Sequence, residues 1–185
     1  MDRSIILALA ILAIILVAGC AEQKQPQNEI YIQGHGDQIY TFANDINEAL
    51  KVSTNDPEGI KSIGRSFSKM NIVFNGSDQQ DNAYFRVVLV NIGAKVPSYF
   101  SYEGRLVYFD TFYFLDEGWF NSANEQIPQP LFADPVLWLR GPATGANETS
   151  LMLENNTIYL NGDSYKGLTL AGDKFVLLLF GIDKA

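Results

Sequence analysis

Residues Arg105–Leu115 have the sequence RLVYFDTFYFL, which carries the strongest β-propensity in the chain. Aromatic and β-branched side chains favour strands because they pack well on a pleated surface. Successive side chains of a strand point to opposite faces of the sheet, and here both alternating sets are mostly apolar. Burial on both faces is typical of a strand that has neighbours on either side. The segment therefore predicts a central strand, or one covered by another layer.

Shorter β-type segments flank this strand along the chain. They are residues 30–32, 38–42, 70–74, 84–92 and 136–139. Two further runs, 151–153 and 158–160, are separated by Glu-Asn-Asn-Thr and predict a hairpin. Residues 175–182 are also apolar, but periodicity does not distinguish a strand from a short buried helix there.

Helical signals are fewer. Asp56-Pro57-Glu58 is typical of a helix start, with an N-cap, a proline at the first helical position and an acid in the first turn. The basic residues Lys61, Arg65 and Lys69 follow at intervals of four and predict one basic edge on this helix. The edge is either a solvated surface or a contact for an acidic partner. Together these patterns predict a strand-rich α+β single domain with one or two short helices.

Composition limits the chemistry. The 185 residues fit about one domain. Hydrophobic residues make up 47% and charged residues 18%, so the chain is able to bury a core. A net charge of −8 argues against a nucleic-acid partner, which would require a basic surface. One cysteine and one histidine exclude an intrachain disulfide, a Cys₄ or Cys₂His₂ zinc site and a two-histidine metal centre. We expect no metal and no cofactor.

The N-terminus has the layout of an export signal. Arg3 precedes an uncharged apolar run, Ile5–Ala18, which is followed by small residues. As a helix, about 15 residues would extend roughly 22 Å, which is short of a hydrocarbon core about 30 Å thick. The run therefore predicts a signal peptide and not a membrane span.

The end of this run, Val17-Ala18-Gly19-Cys20, resembles the lipobox of prokaryotic lipoproteins. The resemblance implies that a diacylglyceryl group modifies Cys20 and that cleavage before it leaves Cys20 as the new N-terminus. It divides the chain into a signal peptide at 1–19, a lipidated cysteine and polar tether at 20–28, and a globular α+β domain at 29–185. The implied location is extracytoplasmic, with the membrane as a partner through the lipid anchor. Residues 21–28 cannot extend beyond about 29 Å, so the domain is expected near the membrane.

Catalytic candidates are few. His35 lies between two glycines, a context that predicts a turn, and we expect it to be a turn residue. Asp110 stands among aromatic residues, and with Asp116 or Glu117 it could form the carboxylate pair of a glycoside hydrolase. The alternative, which we favour, is that Asp110 forms an ion pair with Arg86 or Arg140, because buried charges are normally compensated.

Aromatic residues are concentrated in one region. Ten of the 23 aromatic residues (2 Trp, 9 Tyr and 12 Phe) lie between positions 99 and 120. Such clusters either build cores or bind sugars, apolar ligands and protein partners. Three of them, Tyr99, Tyr102 and Trp119, lie in or beside polar stretches and are candidate ligand or partner contacts.

Two other motifs lie in predicted loops. Gly141-Pro-Ala-Thr-Gly145 lacks the Gly-Lys-Ser/Thr that would complete a phosphate-binding loop, so we expect a plain connection. Asn75, Asn147 and Asn155 each begin an Asn-x-Ser/Thr sequon and are candidate glycosylation sites.

The sequence favours a cell-envelope lipoprotein with a non-catalytic binding or scaffold domain, whose partner is an envelope protein or a glycan. One alternative is a carboxylate-dependent hydrolase of envelope polysaccharide. Another is a subunit of a larger envelope assembly.

Overall fold

A computed structural model describes residues 27–32 and 38–184, which contain ten strands and four α-helices. The strands are β1 (Glu29–Ile32), β2 (Gln38–Thr41), β3 (Ser53–Thr54), β4 (Lys69–Asn75), β5 (Tyr108–Leu115), β6 (Gly118–Asn121), β7 (Gln126–Ile127), β8 (Val136–Arg140), β9 (Ser150–Glu154) and β10 (Thr157–Asn161). The helices are α1 (Ile46–Leu50), α2 (Pro57–Ser66), α3 (Gln79–Tyr102) and α4 (Tyr165–Leu179). The chain is thus an α+β domain.

Eight of the strands form one mixed sheet in the order β3-β9-β10-β8-β4-β5-β6-β7. The four central strands β10, β8, β4 and β5 are mutually parallel, whereas β9 and β6 pair antiparallel with the outer members of this group. Within the Arg105–Leu115 segment, residues Tyr108–Leu115 form β5, with β4 on one side and β6 on the other. The prediction of a strand with neighbours on both sides is confirmed.

Strand register assigns alternate residues to two different faces. Leu137 pairs with Ile72 and Ile158, and these aliphatic side chains belong to the main hydrophobic core. One residue further along, Trp138 pairs with Val73 and Tyr159, on the opposite face of the sheet. The sheet therefore has an aliphatic face and an aromatic face.

The helices cover the aliphatic face. Helix α3 packs Phe85 against Phe74 of β4, with ring centroids 5.4 Å apart. Helix α4 lies at the centre of the helical layer and contacts the other three helices and the strands β9 and β10. Because other elements surround α4, every residue from Ala171 to Phe180 is buried. Residues 175–179 of the apolar 175–182 run thus form the end of a buried helix, and residues 180–182 follow it.

The β1–β2 hairpin lies on the outer side of α4, where Tyr40 packs against Phe180 with ring centroids 5.0 Å apart. The first described residue, Gln27, lies beside the N-terminus of α1, since its N–H donates to Asp45 and its carbonyl accepts from Ile46. The described chain therefore begins at the outer layer, on the helical side of the sheet.

Most of the helix starts, strands and hairpins predicted from short sequence patterns were confirmed. Asp56 caps α2 through its carboxylate, which accepts the Gly59 N–H, and Pro57 occupies the first helical position. Residues 70–74 and 136–139 lie in strands, and β9 and β10 form the predicted hairpin.

The prediction of a strand over residues 84–92 is wrong, because this segment lies inside the 24-residue helix α3. Its buried residues Phe85, Val88 and Ile92 recur at helical spacing, and the valines between them are solvent-exposed. The continuous apolar run concealed this period. Helices consequently form a larger part of the domain than the one or two short ones expected.

The predicted basic edge of α2 is also wrong. Helix α2 ends at Ser66, so Lys69 lies on β4 instead. Lys61 is only 8% exposed, and its ammonium group contacts Glu58 at 2.8 Å and Asp183 at 2.7 Å. Hydrogen bonding to Asp183 raises the pKa of Lys61. Lys61 therefore fastens the C-terminal segment and offers no surface to a partner.

Within residues 27–32 and 38–184, no helix has both the length and the hydropathy required to span a membrane.

Candidate functional site

The aromatic face of the sheet carries a continuous line of six rings. They are Tyr159 on β10, Trp138 on β8, Phe112 and Phe114 on β5, Trp119 on β6, and Phe132 on the β7–β8 connection. Neighbouring ring centroids are 6.2 Å apart for Tyr159–Trp138, 6.0 Å for Trp138–Phe114 and 5.2 Å for Phe114–Trp119. Phe132 closes the line at 6.4 Å from Trp119 and 5.3 Å from Phe112. We call these six residues the aromatic stripe.

All six rings of the aromatic stripe are half-buried. The core cluster formed by the helices and the aliphatic face contains none of them. In the part of the chain that the structure describes, the loop between β7 and β8 packs Phe132 on the aromatic face. The helices pack on the aliphatic face. Partly exposed apolar side chains that form a contiguous patch often mark a binding surface.

Polar groups surround one end of the aromatic stripe. The Arg140 guanidinium stacks on the Tyr159 ring, 4.0 Å from its centroid. Arg140 also lines a cleft of about 320 Å³ together with Asn147 and Asn161. Carboxyl ends of parallel strands are a common place for ligands, and Arg140 and Asn161 are the last residues of β8 and β10. A ligand on the rings would therefore meet hydrogen-bonding groups at this edge.

The carboxylate pair proposed for hydrolysis does not come together. Asp110 lies within β5, and Asp116 follows the last residue of that strand. Six residues of a strand span about 20 Å, whereas the two carboxyls of a glycosidase are about 5 to 9.5 Å apart. Glu117 lies one residue further, in the exposed turn before β6. The geometry does not support a hydrolase built on these residues.

Asp110 forms an ion pair, but its partner is neither Arg86 nor Arg140. Lys69 Nζ lies 2.8 Å from Asp110 Oδ2, and both side chains are roughly half-exposed. Hydrogen bonding to Asp110 raises the pKa of Lys69. The expected arginine partners are wrong because Arg86 lies on the solvent-exposed side of α3 and Arg140 stacks on Tyr159.

The structure separates the three predicted contact residues. Trp119 lies in the aromatic stripe. Tyr102 is 47% exposed at the end of α3, where its hydroxyl contacts Gln38. Tyr99 was expected to be exposed, and this is wrong: only 9% of it is exposed, and its ring stacks on Phe180 at 4.0 Å. Burial raises the pKa of Tyr99.

A second cleft, of about 380 Å³, lies beside Tyr99 and is lined by Arg65, Glu103 and Arg105. The Arg105 guanidinium already donates to the carbonyl oxygens of Gly64 and Phe67, and it stacks on Phe100. Its donors hold α2 against the end of α3. This cleft is therefore a weaker candidate than the aromatic stripe.

The Gly141–Gly145 loop binds a side chain of the protein itself. Its residues 142–144 form one 3₁₀ turn, and Thr144 donates to the Asp81 carboxylate from its N–H at 3.0 Å and from its hydroxyl at 2.9 Å. Asp81 is 1% exposed. The loop follows β8, whose neighbour in the sheet is the parallel strand β4. From β8 the chain continues to strands on one side of this pair, and from β4 it continues to β5 on the other side. Ligands often bind at such a point of a sheet. Here Asp81 fills that position.

Asp173 is the most buried carboxylate of the described chain, at 0% exposure on α4. It accepts hydrogen bonds from the Asn44 N–H at 3.0 Å, the Asn44 amide at 2.8 Å and the Asn91 amide at 2.8 Å. Burial raises the pKa of Asp173, and burial lowers the pKa of nearby Lys95. Since Asn91 lies on α3 and Asn44 lies after β2, these hydrogen bonds join α4 to both segments.

The remaining predicted residues are dispersed. Asn147 and Asn155 are exposed in loops, whereas Asn75 is half-buried at the end of β4 and accepts the Ser77 N–H. Glycosylation of these residues stays a prediction. Cys20 and His35 lie outside the described residues.

Sequence reasoning missed Trp138, Tyr159 and Phe132 as members of the aromatic stripe. A signal for the first two was present. Trp138 stands between Leu137 and Leu139, and Tyr159 stands between Ile158 and Leu160. In each strand the aliphatic residues point to one face and the ring to the other. What the sequence lacked was the strand order that brings these rings beside Phe114 and Trp119.

Comparison with known proteins supplies no relative from which a role could be taken, since the chain matches no protein-family model, no curated protein and no solved structure.

Proposed function

We propose that the protein is a lipid-anchored, extracytoplasmic binding module whose ligand lies on the aromatic stripe. The observation that carries this proposal is the uninterrupted line of six partly exposed rings on the sheet face opposite the helices. Five of these aromatic side chains stand on strands of a rigid sheet, so they present apolar area with little conformational entropy to lose on binding.

The lipobox-like sequence at Val17–Cys20 supports the anchor. Two acyl chains hold a protein stably at a membrane, whereas one gives only marginal binding. The described chain begins at Gln27, in the layer outside the helices. A tether attached there leaves the aromatic stripe directed away from the attachment point, so that it is accessible to other envelope components.

The anchor is tested by Cys20→Ser in the native host. We expect the wild-type protein in the membrane fraction, with the mass of a diacylated, cleaved chain. The Cys20→Ser protein should lack the lipid mass and the cleavage. Ser4→Ala, which changes the signal region without removing the thiol, is the matched control. Equal processing of the Cys20→Ser and wild-type chains would contradict the anchor.

The binding surface is tested by oxidative footprinting of the full-length Cys20→Ser chain, with and without purified native envelope. Trp119 and Trp138 should be protected when envelope is present, while Tyr165, exposed on α4, should oxidise at an unchanged rate. Equal oxidation of both tryptophans in the two conditions would show that the aromatic stripe does not bind an envelope component.

A further inference from the structure

The dimensions of the aromatic stripe restrict what it can bind. From Tyr159 on β10 to Trp119 on β6 the stripe crosses four strand spacings, or about 19 Å. Along the strands it extends only from Phe112 to Phe114, or about 7 Å. A stable protein–protein interface needs about 800 Å² from each partner. The stripe is several-fold smaller, so its shape favours a narrow, linear ligand over a second copy of the chain.

The charges around the stripe favour an uncharged ligand. On the same face, the ammonium group of Lys69 and the carboxylate of Asp110 form an ion pair and neutralise one another. Arg140 adds a single positive charge, while the whole chain carries −8. A polyanionic ligand would therefore be repelled at long range and would meet only one cation at the site.

The chemistry of the stripe matches a sugar chain. A pyranose ring has an apolar face of C–H groups that can lie on an aromatic ring, and hydroxyls at its rim that need hydrogen-bond partners. The Arg140 guanidinium makes no hydrogen bond or ion pair with the described residues, so its five N–H groups can face a ligand. Asn161, beside it in the cleft, adds an amide oxygen as an acceptor.

We propose that the aromatic stripe binds an uncharged, linear polysaccharide, with sugar rings stacked on Trp119 and Trp138 and hydroxyls bound by Arg140 beside Tyr159. This inference rests on the proposed function, because it names the ligand class of the same surface. The binding is non-covalent, and the polysaccharide leaves unchanged.

The test uses the full chain in detergent and three uncharged hexasaccharides as probes, made of glucose, mannose and N-acetylglucosamine. The chain has two tryptophans, and both lie in the aromatic stripe. Intrinsic fluorescence therefore reports directly on the site, and calorimetry gives the affinity. We expect at least one hexasaccharide to shift the emission and bind, and a sulfated hexasaccharide to bind more weakly.

Trp119→Ala should weaken this binding about tenfold, as expected for loss of one large aromatic contact. Phe132→Ala, outside the strands, is a second variant in case Trp119→Ala folds poorly, and circular dichroism checks both. Tyr165→Ala is the matched control, because Tyr165 is exposed at the N-terminus of α4, in the helical layer. It should bind like the wild type.

The proposal is overturned if no uncharged hexasaccharide binds, if the sulfated probe binds more tightly, or if folded Trp119→Ala and Phe132→Ala chains bind as the wild type does. A dimer in sedimentation that Trp119→Ala dissociates would also overturn it, by identifying a second copy as the occupant. If envelope protects both tryptophans and no hexasaccharide binds, the binding module stands and only the ligand class fails. Absence of both effects contradicts the proposed function as well.

Discussion

At the scale of single residues, one tight constraint lies between Gly141 and Asp81. A methyl group at position 141 would overlap the Asp81 carboxylate, which is buried and bound by Thr144. The backbone of Gly141 has an ordinary negative φ of −101°, so the constraint is steric and does not arise from the backbone. Thr144 can hydrogen-bond to Asp81 in this position only because residue 141 has no side chain.

Gly141→Ala should therefore lower the free energy of unfolding by about 1 to 3 kcal/mol, the usual cost of overpacking. Gly93→Ala is the control. It lies inside α3, and beyond its chain neighbours and the backbone of its own helix no described atom lies within 4 Å of the added methyl group. Gly93→Ala should therefore raise the free energy of unfolding by about 1 kcal/mol through helix propensity. Urea denaturation of the two variants measures both changes. A Gly141→Ala chain as stable as the wild type would disprove the steric contact.

At the scale of elements, Asp173 joins α4 to α3 and to the segment after β2. The groups that face it are the amides of Asn44 and Asn91 and the ammonium group of Lys95. Since burial raises the pKa of Asp173, the folded protein keeps this proton at pH values where the unfolded chain, with a pKa of 3.8, has lost it. Ionisation of Asp173 therefore costs the folded state free energy, and its contribution to stability falls as the pH rises from 3.8 through the folded pKa.

Asp173→Asn should remove this dependence. We expect the wild-type free energy of unfolding, minus that of Asp173→Asn, to decrease as the pH rises through this range and then to level off. Asp45→Asn is the matched control of opposite sign. A hydrogen bond from the Gln27 N–H lowers the pKa of Asp45, so the corresponding difference should increase with pH. Denaturant titrations across acidic pH values measure both, and slopes of the same sign would contradict the assignment.

At the scale of the whole molecule, the layers differ in how completely they are enclosed. Helix α4 is buried between the sheet and the outer elements, whereas the β1–β2 hairpin is a separate two-stranded sheet that packs only on the outer side. Local opening requires the least free energy where few buried contacts are broken. The central helix should therefore open only with the whole domain, and the hairpin independently.

Hydrogen exchange followed by mass spectrometry should show this order. We expect peptides from residues 165–179 to exchange most slowly, peptides from α3 at intermediate rates, and peptides from residues 38–41 fastest of the three. An α4 that exchanges as fast as the hairpin would contradict the layered arrangement.

The aromatic stripe depends both on a local pattern in each strand and on the order of the strands in the sheet. The period-two alternation in β8 and β10 is a local property, because adjacent residues of any strand point to opposite faces. The order β10-β8-β4-β5-β6 is not local, since it depends on how segments far apart in the chain pair with one another. Trp138 and Trp119 become parts of one surface only through that order. The clustering of aromatic residues between positions 99 and 120 left a core and a binding surface as alternatives, and it included buried Tyr99 and omitted Trp138 and Tyr159.

Three features depend on neighbouring residues and could be predicted from the sequence: the cap of α2 at Asp56, the β9–β10 hairpin and the strand character of β5. The lipid anchor at Cys20 stays a prediction. Three other features required the fold: the helical form of residues 84–92, the enclosure of α4 and the ion pair between Lys69 and Asp110. In each of these cases, the deciding contacts come from segments far apart in the chain. The physical reason is that burial and strand register are set by the packing partner, and a local pattern does not specify which partner that is.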